Sequence, residues 1–109
     1  MRADLCAAAV NQECVKDGAA VLVFAVVYER TTQKYGERGV RYVRHVHMEV
    51  GHAAQNVHLQ AVSLGLRTGV VGAFDDDEVE RLLRMQDDER VVCIMPVEGE
   101  LCRRGVGLV

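Results

Sequence analysis

The sequence predicts a single α/β or α+β domain over residues 1–109, with one long central helix packed on a small sheet. Three observations carry that expectation. Residues 19–28, AAVLVFAVVY, form a continuous valine-rich apolar run, as a strand buried on both faces requires. Residues 40–66 contain no proline and repeat apolar side chains at spacings of three and four, the signature of a helix with a buried stripe. A second short apolar run at 91–97 supplies another strand.

The elements follow in order. Residues 4–10 are alanine-rich and favour a first helix with one packed face. After the breakers Asp17 and Gly18, the run at 19–28 reads as the central strand. Residues 29–39 are polar and end in glycine, so a short helix or loop crosses the surface there. In the long helix, Val46, Val50, Ala53, Val57, Ala61 and Leu64 mark the buried stripe, while Gly51, Ala53 and Ala54 keep one stretch thin enough for another backbone to approach. Gly65 is positioned to cap it. Residues 68–74 read as an extended segment punctuated by Gly69 and Gly72. Asp75, Asp76 and Asp77 then supply an N-cap and acidic first turn ahead of Val79, Leu82 and Leu83. The strand at 91–97 closes at Pro96 and Gly99. Because two main strands alone make a marginal sheet, the fold is expected to need a partner chain or the other half of a larger domain.

Composition narrows the function. A net charge of −3 and a pI near 5.8 give no general attraction to nucleic acid or to anionic membrane surfaces. No apolar run is long enough to cross a bilayer, and the N-terminus lacks the pattern of a secretory signal, so a cytoplasmic location is expected. The four cysteines, Cys6, Cys14, Cys93 and Cys102, form no CxxC pair and read as thiols serving as small apolar residues. Cys102 alone has an activating neighbour in sequence, Arg103. His45, His47, His52 and His58 crowd one region, but no two stand four apart as a helical metal pair must, so no metal site is expected. They read as surface or interface residues of the helix. Gly69 to Gly72 is not a GxGxxG dinucleotide loop. Glu49 is expected to pair with an arginine such as Arg41 or to face solvent. Gln55 and Asn56 are expected to satisfy hydrogen bonds at a dimer seam.

The motif order is specific. Tyr35-Gly36-Glu37-Arg38-Gly39 is followed by Gly51-His52-Ala53-Ala54-Gln55-Asn56, then Leu59, Ala61 and Leu64-Gly65-Leu66, then Val71-Gly72-Ala73-Phe74, and finally a strand ending Pro96-Val97. This succession resembles the C-terminal half of the FMN-dependent nitroreductase family, over roughly nine tenths of the chain. The resemblance implies half of an FMN-binding fold and a homodimer. It implies hydride transfer from NADH or NADPH through FMN to a small-molecule electron acceptor such as a nitroaromatic or quinone. It also implies that Val71, Gly72 and Ala73 bring backbone donors to the flavin ring, and that Arg103 and Arg104 meet the phosphate. No catalytic side chain is assigned. The family's arginine-rich N-terminal half has no counterpart in these residues, so two forms are expected. One is a short oxidoreductase whose cofactor site a partner completes; the other is a non-catalytic dimerisation remnant that binds no flavin.

Overall fold

A computed structural model describes residues 1–9, 19–34 and 41–99. The elements are α1 (Arg2–Ala8), β1 (Ala20–Val26), α2 (Glu29–Thr32), α3 (Val43–Ser63), β2 (Arg67–Thr68), α4 (Asp76–Leu82) and β3 (Arg90–Glu98). The sheet is antiparallel with the order β1-β3-β2. Mixed helix and small sheet is the architecture expected. The Tyr35 turn, Val10, Cys14, Cys102, Arg103, Arg104 and the tail lie outside the described residues.

Two assignments are corrected. The run at 19–28 forms an edge strand, and β3 takes the centre. β1 is only half-buried, with Leu22 40% exposed, whereas Ile94 and Met95 of β3 are fully buried. An apolar run reports that a strand is apolar, not which neighbours it acquires. Pro96, expected to close the last strand, instead sits within β3 opposite Val21. A proline normally disqualifies a strand from the middle of a sheet because it lacks the N–H that the ladder uses. Here Ile94 exchanges its hydrogen bonds with Val71, so two residues on, Pro96 turns its backbone to that same side, between Thr68 and Val71. No ladder bond is required there, and the Pro96 carbonyl instead accepts from Thr68 Oγ1 at 2.8 Å.

The register also contains a bulge. Phe24 lies opposite Cys93 and Ala25 opposite Val91, which leaves Val92 as an extra residue on β3. The extra residue resets the alternation, so that Val91 points to the same face as Ile94. On that face α1 and α4 supply Leu5, Cys6, Ala8, Ala9 and Val79 to the core, with Val71 completing it. Cys93 and Met95, buried but outside that cluster, point to the other face, which α3 covers.

The helix α3 touches the sheet through a narrow seam. Its buried residues are Ala54 and Ala61, seven apart and therefore on one side. Of the expected stripe, Ala61 is buried, Val46, Val50 and Val57 are half-buried, and Ala53 and Leu64 are exposed. Of the stretch expected to admit another backbone, Ala54 is buried, but Gly51 and Ala53 are exposed and a Cβ built on Gly51 would meet no atom within 4 Å. On the far side of the helix Met48, Leu59 and Val62 are 55%, 61% and 75% exposed, so α3 carries apolar side chains on two faces.

Helices α3 and α4 end in the same way. Gly65 adopts φ +72° and Leu66 N–H donates to Ala61 O at 2.8 Å. After α4 the equivalent position is Arg84, at φ 52°, and Met85 N–H donates to Glu80 O at 3.0 Å. At the start of α4, Asp75 Oδ1 accepts from Glu78 N–H at 3.1 Å, the cap its sequence predicts.

Candidate functional site

The segment at residues 71–75 is fastened at both ends. Val71, buried, exchanges two backbone hydrogen bonds with Ile94. Four residues on, Asp75 N–H donates to Ala8 O at 2.6 Å while its side chain caps α4. Phe74 packs against the core. Between these anchors Gly72 and Ala73 lie exposed. A Cβ built on Gly72 would meet no atom within 4 Å, and its φ lies outside the left-handed region. Nothing within the described chain therefore requires glycine at this position. A group lying against the backbone would, because a side chain would hold it away.

The structure thus places Val71, Gly72 and Ala73 on one short span anchored at both ends. Arg103 and Arg104, expected to meet a phosphate, fall outside the described residues.

At the end of β1 a second feature appears that the sequence did not signal. Tyr28 Oη and His47 Nε2 are hydrogen bonded at 2.6 Å, their rings edge-on at 5.5 Å between centroids. The bond joins the strand end to α3. Burial, with the charge of Asp76 adding to it, raises the Tyr28 phenol above its ordinary 10.0. At the start of the same helix, the His45 and Tyr42 rings lie 4.8 Å apart between centroids, tilted by 38°, and the Arg44 guanidinium lies 5.8 Å from the Tyr42 ring. Two of the four histidines are thus engaged by tyrosines. Among the described residues no group of three or more His, Cys, Asp or Glu is arranged to hold a metal ion.

The remaining candidates resolve simply. Cys6 and Cys93 are buried thiols, and burial pushes Cys93 further from the thiolate that a nucleophile needs. Glu49 is exposed and, among the described residues, forms no ion pair. Gln55 and Asn56 are exposed too. No described helix is long and apolar enough to cross a membrane.

The Nitroreductase family model matches residues 3–100, nearly the whole chain and every described element. The chain belongs to the nitroreductase family. A protein of Methanocaldococcus jannaschii described as a nitroreductase is 50% identical over 94 residues, which cover 86% of this chain and 45% of that protein. This nitroreductase-family chain therefore spans less than half the length of that relative. Among solved structures, one described as a nitroreductase from Anabaena variabilis superposes with a TM-score of 0.77 at 33% identity, covering 90% of this chain and 20% of that one. The NADPH:FMN oxidoreductase of Vibrio harveyi, solved with NAD+, superposes with a TM-score of 0.72 at 27% identity, covering 90% and 45%.

Proposed function

We propose that this chain is a short form of an FMN-dependent NAD(P)H oxidoreductase of nitroreductase type, whose flavin site a partner completes. It would act in the cytoplasm as a homodimer on a small-molecule electron acceptor. The observation that carries the reading is the Val71–Asp75 span, where exposed Gly72 and Ala73 are held between a β3 ladder pair and the α4 cap. Its fit to a flavin rests on Gly72, whose missing side chain leaves the backbone open to a planar ring. FMN, when bound, supplies the hydride chemistry. The chain's own contribution would be to bind and orient: Val71, Gly72 and Ala73 against the ring, with Arg103 and Arg104 as candidates for the phosphate. The oxidoreductase of Vibrio harveyi, which superposes on this chain, is an NADPH:FMN enzyme by description, and this supports the choice of cofactor and donor.

A second reading is favoured by α3. Its exposed Met48, Leu59 and Val62 suit a dimer contact that needs no cofactor, so the chain would be a non-catalytic dimerisation module.

The visible spectrum of the purified protein, recorded with and without added FMN and alongside size-exclusion chromatography, separates the two. Flavin bands co-eluting with a dimer, bleached by NADH or NADPH, support the oxidoreductase. A colourless dimer indifferent to FMN overturns it and leaves the module.

A further inference from the structure

We draw no further inference here: the strongest candidate, the apolar groove between β1 and α3 lined by Val23, Phe24, Val26, Val46, Val50 and Ala53, carries nothing because nothing in the structure shows what covers it.

Discussion

Val71 and Ile94 exchange both of their backbone hydrogen bonds, at 2.7 Å from Val71 N–H to Ile94 O and 3.0 Å from Ile94 N–H to Val71 O. This pair fixes where the chain leaves the sheet and hence where Gly72 stands. Because a Cβ there meets nothing within 4 Å, Gly72→Val is expected to change folding stability by no more than about 0.5 kcal/mol. If the flavin ring lies against this backbone, the same substitution weakens FMN binding about tenfold or more, ~1.4 kcal/mol. A thermal melt paired with an FMN fluorescence titration checks both halves. Unchanged affinity in the variant would remove Gly72 from the site.

The two helix ends predict opposite responses to removing and introducing glycine. Gly65 and Arg84 both hold left-handed backbone, at φ +72° and φ 52°. Gly65→Ala should destabilise by about 1 kcal/mol, whereas Arg84→Gly should be neutral or stabilising by a few tenths of a kcal/mol, since glycine adopts this region without steric cost. Urea unfolding followed by circular dichroism measures both, and a loss of stability in Arg84→Gly would show that its side chain contributes more than its backbone costs.

Tyr28 predicts a pH dependence. Its phenol is raised above the ordinary value in the folded state, so the neutral form is the one the fold favours. The associated stability is fully present below pH 10.0 and is lost as pH rises through the folded pKa. Tyr28→Phe should flatten that alkaline decline. Phenolate absorbance tracked together with unfolding midpoints tests it, and an identical decline in the variant would assign the effect to other groups, the buried Cys93 thiol among them.

Cys93 should behave as core. Cys93→Ser places a hydroxyl at a buried position on the α3 side of the sheet, with an expected cost of about 1–3 kcal/mol. Cys93→Ala removes only the sulfur and should cost less. Denaturant midpoints for the two variants give the comparison, and equal costs would mean that volume rather than polarity decides.

Self-association, if it uses the outer face of α3, should be abolished by Leu59→Glu or Val62→Lys. Both side chains are mostly solvent-exposed in the isolated chain, so the variants should keep their helical content and elute as monomers. Dimers persisting in both would move the contact elsewhere.

What could be read from the residues alone was local. The Asp75 cap, the Gly65 terminus and the long helix depend on neighbours within a few positions, and the structure forms each of them. The motif succession through Val71-Gly72-Ala73-Phe74 led to the family for the same reason. Strand order was not legible. The run at 19–28 is apolar enough for a central strand, and β3 contains a proline that argues against one. What reverses the assignment is a hydrogen bond between Thr68 and Pro96, 28 positions apart, and the gap beside it. The Tyr28–His47 bond spans 19 positions and links a strand end to a helix with no shared periodicity, so no sequence pattern announces it.

The placement of β1 at the rim of the sheet has a consequence for handling the protein. Among the described residues its outer side pairs with no strand, and its sequence, AVLVFAV, contains neither charge nor proline. The bulge that could have twisted a rim away lies on β3 instead. Such a strand is a template for another copy of itself, and segments of this composition stack into cross-β fibrils. Covering that rim, by a partner chain or otherwise, should therefore decide how much of the chain stays in solution.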